Sequence, residues 1–349
     1  MAVSKLQLAG FAFLFLVLDL TMFFYVDSRN DEETGFGGSK ISDYTDIETV
    51  SANLETEKIG KPARRDEFLE KVYVDEKRFQ INDKVADPLV RMSNETEGEV
   101  SSPGNVIVLS FHDLSIKKIS PSIITTVDSF IEMLKALKKN NYQTFFARDI
   151  ASLMSGKAMV KKGCKPVILT FDDGYKNNYA LLFPLIKKYR VKVTFFLITG
   201  KLKEFRSSQT DNSLTFSEVQ EMVDSGLVEL GSHTHYNHKN LVSFLKEEKT
   251  IKGKRRRLWG IYKDLLASDR VLKEKFSIDP VSLAWPHGKE DRHLIYAAKK
   301  AGFKFVFNTR FGVNSCEKKE YFRLRRISAS SSWLSAQELI KRMDSCSKG

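Results

Sequence analysis

The sequence predicts an α/β domain whose parallel sheet is open or closed into a barrel, set behind an N-terminal membrane helix and a polar stalk. Three observations carry this reading. Leu6 to Val26 is a run of 21 residues whose one charge is Asp19. Asp27 to Gly104 holds 19 Asp and Glu against 11 Lys and Arg, a net of −8. Beyond that point short apolar runs alternate with stretches of helical period, and 44 basic residues face 24 acidic ones, a net of +20.

The first element, residues 1–26, is long enough to cross a bilayer, since about 20 apolar residues span a hydrocarbon core of about 30 Å. Nine of the residues from Phe11 to Phe24 are Phe or Leu, spread around every helical angle, which argues against a one-sided helix of a soluble domain. A cleaved signal peptide is the rival reading. No small-x-small site follows Asp19, so an uncleaved anchor is favoured. Lys5 before the run and Asp27, Asp31, Glu32 and Glu33 after it leave the N-terminus in the cytoplasm and the remainder outside.

Residues 27–104 read as a polar stalk or linker, with a short element near Glu67–Val74 as the alternative. Asn94-Glu95-Thr96 fits a glycosylation sequon. Three cysteines, Cys164, Cys316 and Cys346, cannot form a complete disulfide framework, and a domain of this size does not need one.

Residues 105–349 form the main domain. Apolar runs at Val106–Phe111, Thr144–Ala147, Pro166–Phe171, Val191–Leu197, Leu227–Leu230, Val281–Ala284, Phe303–Phe307 and Leu324–Ile327 read as strands. Phe130, Leu134 and Leu137 share a face of the first helix; Tyr179, Phe183, Ile186 and Tyr189 mark a second, and Val219, Met222 and Val223 a third. Such alternation argues for a parallel sheet. The basic balance points to anionic lipid headgroups or an anionic envelope, rather than nucleic acid, as surroundings. Its densest patch, Lys252 to Arg257, reads as a solvated helix face or a contact with that surface.

The chemistry gathers at two strand ends. Val167–Phe171 runs into Asp172-Asp173-Gly174-Tyr175, and strand C-termini carry the active sites of parallel α/β folds. Successive side chains there point different ways, so one carboxylate can bind a metal while its neighbour faces substrate. Leu227–Ser232 leads into His233-Thr234-His235-Tyr236-Asn237-His238, three of the six histidines in six residues. His233 and His238 can converge on one ion, with His235 turned away. Two histidines and a carboxylate suit zinc and leave positions open.

Thr170-Phe171-Asp172-Asp173-Gly174-Tyr175 and His233-Thr234-x-x-x-His238 resemble the first two motifs of the polysaccharide deacetylases, carbohydrate esterases of the NodB-homology type. The resemblance runs from about Val106 to Ile340 and implies a distorted (β/α) barrel. It also implies Asp172 as general base and Asp173, His233 and His238 as ligands of a divalent metal, usually zinc. Ala284-Trp285-Pro286-His287-Gly288 resembles the third motif, where the backbone N–H of His287 would stabilise the oxyanion. Ordinary members have an arginine in place of Ala284. Arg326, at another strand end, can supply that charge, the alternative being a surface salt bridge.

The five-residue histidine step and Val108-Leu109-Ser110-Phe111-His112-Asp113 look most like the subgroup that deacetylates poly-β-1,6-N-acetylglucosamine of biofilm matrices. In that subgroup the barrel is circularly permuted, and the strand bearing the general-acid histidine comes first; His112 fits that role. The implied activity is removal of N-acetyl groups from an extracellular N-acetylglucosamine polysaccharide. A peptidoglycan or chitin-type deacetylase, and a non-catalytic carbohydrate-binding protein on the same barrel, are the alternatives. Trp285, Phe311 and Trp333 are candidates for sugar stacking or for core. If the triad is real, its donor atoms lie within roughly 3–4 Å of one another, given ligand distances of about 2.0–2.2 Å.

Overall fold

The computed structural model describes residues 99–100, 104–117, 123–205, 208, 211–315, 317–318, 320–330 and 334–347. The proposed anchor, nearly all of the stalk, the Asn94 sequon, Cys316 and Trp333 lie outside the described residues. Among the described residues no helix is long and apolar enough to cross a membrane.

In chain order the strands are β1 (Glu99–Val100), β2 (Ile107–Phe111), β3 (Asp113–Ser115), β4 (Ile124–Thr126), β5 (Tyr142–Phe145), β6 (Met159–Val160), β7 (Lys165–Asp173), β8 (Val193–Leu197), β9 (Val228–Ser232), β10 (Ser282–Ala284), β11 (Phe305–Phe307) and β12 (Ile327–Ser328). The helices are α1 (Val127–Lys139), α2 (Ile150–Met154), α3 (Phe183–Tyr189), α4 (Phe216–Asp224), α5 (Leu241–Glu247), α6 (Ile251–Phe276), α7 (Arg292–Lys300) and α8 (Ala336–Ser347). The three helices and all eight apolar runs anticipated above correspond to elements, with ends displaced by at most three residues. Leu324 falls just outside β12.

One parallel sheet organises the domain, in the order β11-β10-β9-β8-β7-β2-β12, with β5 added beside β7. It curls until its ends meet. Ile327 pairs with Leu109 of β2, while Leu324 N–H donates to Val306 O at 2.9 Å and Asn308 N–H to Leu324 O at 2.8 Å. Residues 321–328 therefore touch both edge strands. The first long strand, β2, lies between β7 and the last, β12, so the N- and C-terminal parts of the domain complete one sheet.

Side-chain alternation divides the sheet into two faces. Val106 and Val108 pack inside the curl with Ile168, Phe196, Phe307 and Leu324. Ile107, Leu109 and Phe111 pack outward with Val167, Leu169, Phe171 and the helices. On that outer face Phe111 stacks on Phe171 with centroids 4.9 Å apart, and Phe130 of α1 meets both edge-on. Each such buried ring contributes roughly 1.5–3 kcal/mol of transfer free energy. This ties α1 to the two strands that carry His112 and Asp172.

Helix ends follow their caps. Thr126 caps α1 by accepting from Ser129 N–H, Thr215 and Glu218 form a capping box on α4, and Thr250 caps α6. The Lys252–Arg257 run occupies the first turns of α6, where Lys252 and Arg256 are exposed. Arg257 instead lies over the Phe244 ring at 4.4 Å and pairs with Glu248 at 3.8 Å. Glu99–Val100, within the stretch read as linker, pairs antiparallel with Met159–Val160.

Candidate metal centre and catalytic residues

Asp172 and Asp173 are the last residues of β7, and their side chains part. Asp172 keeps the alternation of Ile168 and Thr170 and points inside the curl. Asp173 and Gly174 both take positive φ, +77° and +85°, which swings the second carboxylate toward the end of β9. A Cβ on Gly174 would come to 3.0 Å from Leu197 Cδ2, so glycine suits both the space and the backbone.

His233 follows β9 directly, and its N–H donates to Leu197 O at 2.8 Å, which registers it against β8. Its ring is buried, and Nδ1 lies 2.8 Å from the Ala284 carbonyl. A carbonyl only accepts, so Nδ1 carries the proton and Nε2 presents its lone pair, the arrangement expected of a ligating histidine. That Nε2 is 3.5 Å from Asp173 Oδ1, and His238 Nε2 is 3.0 Å from the same oxygen. Asp173 Oδ1 is nevertheless buried without a properly oriented hydrogen-bond donor. Three lone-pair atoms, all within 4.8 Å of one another, thus face a common point, and the donor set fits a divalent cation. The widest spacing exceeds the expected 3–4 Å.

The electrostatics agree. Burial pushes His233 down to about 4, which keeps it neutral near pH 7. Burial opposes ionisation of Asp173, but His238 and His233 together hold its carboxyl well below the usual range. Tyr175, half-buried and hydrogen-bonded to Asp173, is raised by burial and by that carboxylate.

Arg326 settles beneath Asp172. Nη1 and Nη2 donate to Oδ1 and Oδ2 at 2.7 and 2.8 Å, Nη1 also reaches Thr170 Oγ1 at 3.2 Å, and Nε donates to Asn308 O at 3.0 Å. Both partners are buried, at 1% and 2% exposure, so the surface-salt-bridge alternative does not hold. Burial alone would raise the Asp172 pKa; the guanidinium outweighs it and holds the carboxyl below its ordinary value.

His112 follows β2, half-buried, with Nδ1 3.1 Å from Ser330 Oγ beyond β12. It lies near enough to bias Asp172 and Asp173 electrostatically, yet is not among the clustered donors. His287 takes a left-handed φ of +55° in the turn after β10, and its exposed ring is 5.4 Å from that of His238. His235 is turned away, bonded at Nδ1 to Thr199 Oγ1 at 3.0 Å. Trp285 is fully buried and cannot stack on a sugar, whereas Phe311 is 56% exposed. Ser330 and the Ala284 carbonyl were not anticipated. A lone serine and a main-chain oxygen leave no pattern in a sequence.

The curled parallel sheet thus brings an Asp-His-His cluster, a donor set that fits a divalent cation, to its C-terminal rim beside a buried arginine-bound carboxylate. The family model described as Polysaccharide deacetylase matches residues 159–306. It is 30% identical over 187 residues to the poly-beta-1,6-N-acetyl-D-glucosamine N-deacetylase of Staphylococcus aureus strain MRSA252, a match covering 53% of this chain and 61% of that protein. The Streptococcus pyogenes deacetylase PplD superposes with a TM-score of 0.58 at 23% identity, covering 69% of this chain and 99% of that one. IcaB from Ammonifex degensii gives 0.55 at 20%, covering 70% and 99%. Those two likenesses establish the fold.

Proposed function

We propose that this chain hydrolyses N-acetyl groups from an extracellular N-acetylglucosamine polysaccharide, with poly-β-1,6-N-acetylglucosamine as its polymer. The observation that carries the reading is the buried Arg326–Asp172 pair set beside the Asp173, His233 and His238 cluster. The similarity to the staphylococcal deacetylase supports the choice of polymer.

Asp173, His233 and His238 would hold a divalent ion, zinc by their donor types, and the chemistry it would supply there is that of a Lewis acid for water and the acetamide carbonyl. Asp172, kept anionic by Arg326, accepts a proton from the attacking water. The backbone N–H of His287 donates to the developing oxyanion. His112, its ring steadied by Ser330, delivers a proton to the departing amine. Acetate and a free glucosamine unit result.

The Leu6–Val26 run supports a single-pass membrane anchor with the domain outside the cytoplasm. Membrane fractionation and N-terminal sequencing of the mature protein test this, and a secreted form beginning beyond Val26 would replace the anchor by a cleaved signal. The central experiment measures acetate release from defined β-1,6- and β-1,4-linked N-acetylglucosamine oligomers. Faster release from the β-1,6 series is expected. Preference for β-1,4 polymers would move the assignment to a peptidoglycan or chitin-type substrate, and release from neither would remove the activity.

A further inference from the structure

The loop between the two histidines is held from a distance. Asp264 lies in the middle of α6, is 6% exposed, and accepts three consecutive backbone N–H groups: His235 on Oδ2 at 2.7 Å, and Tyr236 and Asn237 on Oδ1 at 2.9 and 3.2 Å. These are three of the four residues between His233 and His238. The fourth, Thr234, donates its N–H to Ser232 Oγ at 3.1 Å, and Ser232 Oγ in turn lies 2.7 Å from Ser268 Oγ. Ser268 is one helical turn beyond Asp264 on the same face of α6 and is fully buried.

The loop needs this support. Thr234 sits at φ +73°, a conformation costly for a β-branched residue and kept only where surroundings impose it. Four successive N–H groups point inward with no strand or helix of their own to satisfy them. The Asp264 carboxylate and the Ser268–Ser232 pair satisfy them all, and so fix how far apart, and at what angle, the two imidazoles emerge.

We propose that Asp264 and Ser268 are positioning residues of the metal centre, and that α6 sets its affinity without meeting the ion. This rests on the Asp173, His233 and His238 reading. The test is zinc affinity of the metal-free protein, measured by competition with a chromophoric chelator, alongside its thermal unfolding. Partners behind metal ligands typically change affinity by about 10–100-fold when altered. Asp264→Asn keeps the shape but offers an amide NH₂ to an N–H donor; a zinc dissociation constant weaker by about 10–100-fold in a folded protein is expected. Asp264→Glu, which restores the charge, should recover part of it.

A lowered melting temperature with unchanged zinc affinity would show a purely structural role and overturn the proposal. If Asp264→Asn does not fold, Ser268→Ala carries the test, with weakened zinc binding expected and wild-type binding overturning. His238→Ala is the control for the site. Wild-type zinc affinity in that variant would overturn the metal centre, and this inference with it, whereas loss in His238→Ala with none in Asp264→Asn would overturn this inference alone.

Discussion

Arg326 grips Asp172 through both terminal nitrogens, at 2.7 and 2.8 Å, across 154 residues of chain. The arginine stands just before β12, across β11 from the third motif where the resemblance alone would have sought it. A charge at Ala284 is thereby replaced by one delivered from beside β12.

Loss of that charge should show in both stability and pH profile. Removing one member of a buried pair costs about 3–5 kcal/mol, so Arg326→Ala is expected to unfold at a much lower temperature. Arg326→Lys keeps the charge and loses the two-point grip. The Asp172 carboxyl is depressed in the folded protein, so its stabilising contribution is present above the ordinary carboxylate pKa of about 3.9 and is lost as pH falls through the folded value. In Arg326→Lys the acid limb of the kcat profile should therefore move to higher pH. An unmoved limb would remove Asp172 as the base.

His112→Ala should lower kcat by about 10²–10⁴-fold, the usual contribution of general acid catalysis, with metal content and fold retained. His112→Asn should not restore it. Near-normal turnover, or loss of metal, would move the acid role elsewhere.

Asp173→Asn, His233→Ala and His238→Ala should each lose bound metal, measured by elemental analysis after gel filtration, together with acetate release. Chelation of the wild-type protein should do the same and be reversed by added zinc. A variant that keeps full turnover without metal would contradict the site.

The metal-free protein should carry a pH signature from its buried histidines. His233 and His235 are both pushed down to about 4 by burial, against about 6.5 unfolded. Between those values the unfolded chain binds protons that the folded one refuses, so this contribution to stability falls as pH drops from about 6.5 to about 4 and is flat above. Asp264, pushed up to about 6 by burial, works in the opposite sense over an overlapping range. His235→Gln isolates one histidine. Its unfolding temperature should depend less steeply on acid than that of the wild type, and an identical dependence would refute the burial argument.

The strands β2, β7, β8 and β9 were legible because each is an apolar run, three of them leading into candidate site residues. Asp172, Asp173, His233 and His238 were legible as a carboxylate pair and a histidine pair at strand ends, whereas His112 was singled out only by the family resemblance. The pairing of β3 with β4 was not, since Asp113–Ser115 and Ile124–Thr126 mix polar and apolar residues without a period. The partner of Arg326 also stayed open, because nothing local distinguishes an arginine that turns inward from one that turns to water. Asp264 was invisible on similar grounds: α6 was recognised only by its basic first turns, and a carboxylate midway along it gives no sign of three amides waiting in a distant loop.

The sheet edges meet through residues 321–328, and this orders events during synthesis. Asp172 obtains its counter-charge only when Arg326 has been made, and His112 its serine only at residue 330, 218 positions later. A chain growing from its N-terminus can pair β7 with β8 and bring the metal ligands together well before either event. It would then hold a buried carboxylate with no cation beneath it and an acid histidine with no support. Contacts so distant in sequence are slow to form. Completion of the candidate site thus waits on the last strand, and an unfinished polypeptide lacks both supports while it is still being made.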